Sequence, residues 1–276
     1  MTGRAVHITG KFYRPVTLRR WLIALVLLLC LAASLRAEDK KEEPKKEPPR
    51  VVVVVPLGVE AGTSNTIKIR GINLTNATAL RFPGLKTGPD AKIISAKKID
   101  IPKEADAKKV GDTQLEVQLL LPPEAPAGPT PFVVVMPDGG TTQTNLLLVY
   151  APGTIGKEKE PNGGFRQPQD ISFSRPLLGA ISEANDVDVF RFSGQAGQTI
   201  IAEVQAARLG SLLDASLMLY DVTGHVLAGN DDSPAGADPE LRFKLPTDGV
   251  YFLSLFDAQD KGGPTHVYQF ILRLEK

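Results

Sequence analysis

From residue 51 onward, short runs in which apolar side chains recur at every second position are separated by glycine- and proline-rich breaks. This period-2 pattern predicts strands, and many short strands with such turns predict packed sheets. The clearest run is Asn185-Asp186-Val187-Asp188-Val189-Phe190-Arg191-Phe192, where two acids lead into a strand with Phe190 and Phe192 on one face and Val189 and Arg191 on the other. Strands are predicted over 51–55, 66–70, 79–82, 91–96, 114–121, 131–135 and 145–149 in the first half, and over 177–182, 187–193, 199–206, 215–221, 226–229, 241–245, 250–256 and 267–274 in the second. The β-branched run Val51 to Val55 has no polar face and reads as a strand buried on both sides. The fold class is all-β: two β-sandwiches, 51–151 and 156–276, with the break at Ala151-Pro152-Gly153-Thr154. Residues 97–111 form a charged excursion that predicts an exposed loop or one short helix.

The pattern before residue 51 is different. Arg4, Lys11, Arg14, Arg19 and Arg20 precede an apolar run from Trp21 to Leu35. A basic segment followed by an apolar run is the layout of an export signal, here 1–37 with cleavage after Ala37. The run is about 15 residues, short of the roughly 20 that span a bilayer. Uncleaved anchoring, which would put the chain on a membrane, is the alternative. Residues 38–50, EDKKEEPKKEPPR, have no apolar side chain and read as a solvated, semi-extended spacer.

Composition narrows the chemistry. Charged residues are 23% of the 276 and the net charge is +1, so the broad basic field that nucleic-acid binding requires is absent. Cys30 and Trp21 are the sole residues of their types, and both lie in the export segment. The exported chain therefore has no thiol for a disulfide or a thiolate metal site. His225 and His266 follow the segment; both read as surface residues. No Gly-x-Ser-x-Gly elbow, His-Glu-x-x-His or phosphate-binding glycine loop occurs. Tyr251, Phe252, Phe256, Tyr268 and Phe270 fall at strand positions and read as core.

Two ordered sets of short motifs carry resemblances. Pro56-Leu57-Gly58, Gly62, Ile67 to Leu74, Ala125-Pro126-Ala127-Gly128 and Pro137-Asp138-Gly139-Gly140 resemble the IPT/TIG immunoglobulin-like family over 51–151. The second half resembles the bacterial pre-peptidase C-terminal (PPC) domain. That resemblance rests on Glu160-Pro161-Asn162, Gly179-Ala180-Ile181, Asp186-Val187-Asp188-Val189-Phe190, Ala196-Gly197, Leu213 to Leu217, Gly224, Asn230-Asp231-Asp232 and Asp248-Gly249-Val250-Tyr251. It implies a non-catalytic module of exported proteins.

Some PPC relatives, including the collagen-binding domains of clostridial collagenases, bind calcium near the domain's N-terminus. The matching residues are Glu158, Glu160 and Asn162, with Asn185, Asp186 or Asp188 from the later strand. Calcium takes six to eight oxygen ligands, several of them carboxylates, and the cofactor implied is calcium. Gly163 departs from the relatives, which carry an acid there. Two plainer roles stand beside this one: Asp186 and Asp188 as turn caps or arginine partners, and Glu158 and Glu160 as solvated linker residues. The resulting expectation is a non-enzymatic binding or scaffolding protein of the periplasm, cell surface or medium. Its partner would be another exported protein, a matrix polymer or a polysaccharide. The alternatives are an accessory subunit supplying a PPC module to a secreted protease, and a cryptic hydrolase.

Overall fold

The computed structural model describes residues 47–101 and 106–275. The predicted export segment and most of the predicted spacer lie outside the described residues. The chain folds as strands β1 (Arg50–Val55), β2 (Gly58–Glu60), β3 (Ser64–Ile72), β4 (Ala79–Arg81), β5 (Asp90–Lys98), β6 (Thr113–Leu120), β7 (Gly128–Val135) and β8 (Asn145–Tyr150), with helix α1 (Ala107–Val110) between β5 and β6. They form two four-stranded sheets, ordered β1-β3-β6-β5 and β2-β8-β7-β4. The inward-facing Ile67, Ile69, Leu115, Val117, Leu119, Phe132, Val134, Leu147 and Val149 make their common core.

The second half contributes β9 (Gly156–Lys157), β10 (Gln169–Asp170), β11 (Leu177–Ala180), β12 (Val187–Gly194), β13 (Thr199–Gln205), β14 (Ala215–Tyr220), β15 (Val226–Asn230), β16 (Glu240–Lys244), β17 (Gly249–Asp257) and β18 (Val267–Leu274). Two five-stranded sheets result, β10-β12-β17-β14-β15 and β16-β13-β18-β11-β9. Phe190 stacks on Phe270 across the sheets at 5.1 Å, and Phe192 on its neighbour Tyr251 within the same sheet at 5.7 Å. The large rings of β12 are therefore the centre of the second core, as the alternation predicts. The three strands that the pattern does not reveal, β2, β9 and β10, are two or three residues long and pair in parallel. That is too short for a periodicity to register.

Strand β1 is buried on both faces for a reason outside its own sandwich. A bulge between Val51 and Val53 shifts the register against β3, which changes the side-chain alternation. Val51 and Val54 enter the first core. Val53 packs with Leu57 and Val267 in a separate cluster that also takes in Leu178, Ala180 and Leu209 of the second half. The Tyr150 hydroxyl donates to Gln269 Oε1 across the same contact, and burial pushes that phenol's pKa up. Residues 47–276 accordingly form one compact unit. Gly210 closes the contact: at φ +87° its backbone lies so near β1 that a Cβ would stand 2.3 Å from Val52 O.

Two readings of the sequence need correction. His266 is buried, held between the turn at Gly263, to whose carbonyl its N–H donates, and Ile181, whose N–H donates to its carbonyl; its Nδ1 is buried without a hydrogen-bond partner among the described residues, and burial lowers its pKa. Phe252 and Phe256 are half-buried. The core of β17 is made by the alternate residues Tyr251, Leu253 and Leu255, which leaves Phe252 and Phe256 on the outer face. Phe252 there meets the exposed Phe165 edge-on at 5.2 Å.

Candidate cation site

At one edge of the second sandwich, four predicted ligand residues converge. The segment after β9 is tied down by Gln169, whose side chain mimics a neighbouring strand: it accepts from Lys159 N at 2.8 Å and donates to Lys157 O at 3.0 Å. Glu158 is thereby turned toward β11, where its Oε2 accepts from Ala180 N at 2.8 Å. Its Oε1 accepts from Asn162 Nδ2 at 2.9 Å. Glu160 Oε2 accepts from Asn162 N at 2.9 Å, and Asn162 O accepts from Val189 N at 2.9 Å, joining the segment to β12.

Asp188 arrives from the opposite sheet. It lies in phase with Phe190 and Phe192, so its carboxylate points inward and is fully buried. Its Oδ2 accepts from the Tyr268 hydroxyl of β18 at 2.6 Å. Oxygens of Glu158, Glu160 and Asp188 lie within 4.8 Å of one another. Burial, and then the Glu158 carboxyl beside it, push the Asp188 pKa up to about 10. Burial, followed by the charges of Asp188 and Glu158, raises Tyr268 well above an ordinary phenol.

Asp186 is not among the converging carboxylates, and Asn185 has a backbone role in the turn before β12. Asn185 sits in the left-handed region at φ 63° and its N–H donates to Asp260 O, fixing the turn before β12. Asp186 Oδ2 accepts from Ser182 N at 2.6 Å and Ser182 Oγ at 3.0 Å, a turn cap. Two members of the site were missed by the sequence reading. Tyr268 reads as core, and is core, but its hydroxyl reaches Asp188. Gly179 leaves the space the cluster occupies: a Cβ there would lie 2.3 Å from the Tyr268 hydroxyl and 2.7 Å from Glu158 Oε2.

The fit to a cation can be judged from the oxygens. Asn162 Oδ1 and Asp188 Oδ1 are both buried with no hydrogen-bond partner among the described residues. A buried polar atom left unpaired costs about 1–3 kcal/mol, more when charged. An all-oxygen donor set with carboxylates suits calcium rather than a metal that prefers sulfur or imidazole. The residues fit.

The other polar clusters are structural. Buried Asp238 accepts from Ala206 N, Ala207 N, Arg208 N and Arg208 Nε, and so builds the turn that carries Gly210. His225 stands on an exposed turn, where Thr223 Oγ1 and Asp221 Oδ2 both approach the same ring nitrogen, Nδ1. A relay needs its two partners on opposite nitrogens, so this trio is not a nucleophile–base–acid arrangement. Among the described residues no helix is long and apolar enough to cross a membrane.

Comparison with known proteins assigns the domain. Residues 186–257 match the sequence model of the bacterial pre-peptidase C-terminal domain, so the second sandwich carries a PPC domain. A "Probable subtilase-type serine protease" of Deinococcus radiodurans is 41% identical over 99 residues. That stretch is 35% of this chain and only 14% of the protease. Among solved structures, the pre-peptidase C-terminal domain of a Bacillus anthracis collagenase aligns over its whole length and 42% of this chain, at 15% identity and a TM-score of 0.33. The periplasmic g-type lysozyme inhibitor PliG of Aeromonas hydrophila aligns over 98% of its length and 44% of this chain, at 14% identity and a TM-score of 0.31.

Proposed function

We propose that this chain is an exported, non-catalytic binding and scaffolding protein, in which an IPT/TIG-like sandwich carries a calcium-stiffened PPC domain. The observation that supports the reading best is the pair of buried oxygens without a hydrogen-bond partner among the described residues, Asn162 Oδ1 and Asp188 Oδ1, at the cluster of Glu158, Glu160 and Asp188. When bound, the cation supplies a cross-link between the segment after β9 and strand β12. That segment follows directly on the connection between the sandwiches, so cross-linking it would stiffen the two-sandwich body as a presenting surface. The partners in view are another exported protein, a matrix polymer or a polysaccharide, met in the periplasm, on the surface or in the medium.

The test is thermal unfolding of the chain with calcium and with chelator. A cation at about 100-fold above its dissociation constant adds roughly 2.7 kcal/mol, a rise of several degrees for a unit of this size. Glu160→Ala should remove the rise. An unchanged midpoint in the wild-type chain refutes the reading.

A second reading has its own support. The stretch similar to a subtilase-type protease invites a role as an accessory subunit that lends a PPC module to a separate secreted protease. Recovery of a stoichiometric protease complex from the producing cell would favour it, and recovery of the chain alone would count against it.

A further inference from the structure

The segment Lys157-Glu158-Lys159-Glu160 alternates base and acid at every residue. On an extended backbone that alternation puts the two acids on one side and the two bases on the other. The structure keeps the two sets apart. Glu158 and Glu160 converge with Asp188, whereas Lys157 and Lys159 line a separate cavity of about 170 Å³ together with Gln169, Asp170, Ser172 and Arg175. Main-chain bonds fix the arrangement. The Gln169 side chain clasps the backbone of both lysines, and Gly156 N donates to Pro176 O at 2.7 Å, which brings Arg175 alongside. Arg175 Nη2 donates to Ile155 O at 3.1 Å, so the guanidinium lies against the chain just before Lys157.

The acid that shares the cavity is already committed. Asp170 Oδ1 accepts from Arg191 Nε at 2.6 Å and its Oδ2 from Arg191 Nη2 at 2.9 Å, and this bonding lowers the Asp170 pKa. Lys157, Lys159 and Arg175 are exposed, and none of them forms an ion pair among the described residues. Since Asp170 and Arg191 offset each other, the cavity presents three cations with no counter-charge. A single carboxylate would offset one of them. A phosphate monoester carries about −1.5 to −2 at pH 7, and its oxygens match the planar fork of an arginine. The exposed Ser172 hydroxyl adds a neutral donor at the cavity wall. We propose that this cavity binds a phosphate group carrying close to two charges, either free or at the end of a phosphomonoester, between the two lysine ammonium groups and the Arg175 fork. The inference is independent of the calcium reading, which concerns the other side of the same segment.

The test is calorimetric titration of the full chain, in calcium-free buffer of low ionic strength, with inorganic phosphate, glucose 6-phosphate and acetate. Saturable binding of phosphate is expected, with acetate about tenfold or more weaker. Binding of glucose 6-phosphate as well as the free ion assigns the site to an ester terminus; binding of inorganic phosphate alone assigns it to the free ion. The affinity for the ester should rise between about pH 5 and pH 7, as the ligand takes on its second charge near pH 6. Lys159→Gln and Arg175→Gln should each weaken binding about tenfold. Lys244→Gln, an exposed lysine on β16 outside the cavity, should leave it unchanged. Thermal unfolding of each variant shows that it folds, and Lys159→Gln removes only an exposed side chain while the backbone bond of Lys159 N to Gln169 stays. No saturable phosphate binding, acetate bound as tightly as phosphate, or binding indifferent to both substitutions would overturn the inference.

Discussion

Asp188→Asn is the most informative substitution, because it should raise the stability of the cation-free protein while removing its response to calcium. Burial, then Glu158, hold the Asp188 carboxyl near 10 against an ordinary value of 3.8. The folded chain thus keeps a proton that the unfolded chain has released. Stability from this group is complete below about pH 4 and is lost as pH rises toward about 10. At pH 7 the interval between 3.8 and 7 corresponds to about 4 kcal/mol at most, from 1.36 kcal/mol per unit. An asparagine has no such dependence: its oxygen can accept from Tyr268 and its amide can donate to Glu158. In chelator at pH 7 the variant should melt above wild type, by up to roughly 10 °C at 2–4 °C per kcal/mol for a unit of this size. The assay is thermal or urea unfolding at pH 5, 7 and 8.5, with chelator and with calcium. If the chelated wild type is equally stable at pH 5 and 8.5 and the variant gains nothing, the cluster carries no uncompensated carboxylate and the reasoning fails.

Two further perturbations test the frame around the site. Gly210→Ala puts a Cβ 2.3 Å from Val52 O at a left-handed φ of +87°. It should cost about 2 kcal/mol or more and loosen the contact between the sandwiches, read as a second unfolding transition or as new proteolytic cleavage near residues 151–155. Asp238→Ala leaves three backbone N–H groups and the Arg208 guanidinium without their acceptor. A loss of about 3 kcal/mol is expected in urea unfolding, and a loss below about 1 kcal/mol would show that the turn at 206–210 holds itself.

The sequence determined by itself the class of the fold and the identity of the longer strands, because period-2 alternation follows directly from which face of a sheet is wet. Phe190 and Phe192 against Arg191 declare the core of the second sandwich without any knowledge of their partners. The same alternation places Asp188 on the inner face with Phe190, a signal for the candidate site that lies in the sequence. The set of six candidate ligands was legible through resemblance, and four of them, Glu158, Glu160, Asn162 and Asp188, converge. Tertiary structure alone decided the rest, since each remaining feature depends on contacts between segments far apart in the chain. Asp186 caps Ser182 instead of turning inward, and Tyr268 reaches Asp188 from the opposite sheet, 80 residues away. Gly179 is required by the atoms of Glu158 and Tyr268 above it, and His266 is buried with its carbonyl bonded to Ile181 N, far earlier in the chain. The all-valine β1 shows the division most clearly: its composition says that both faces are covered, but only packing against Leu57 and Val267 says by what.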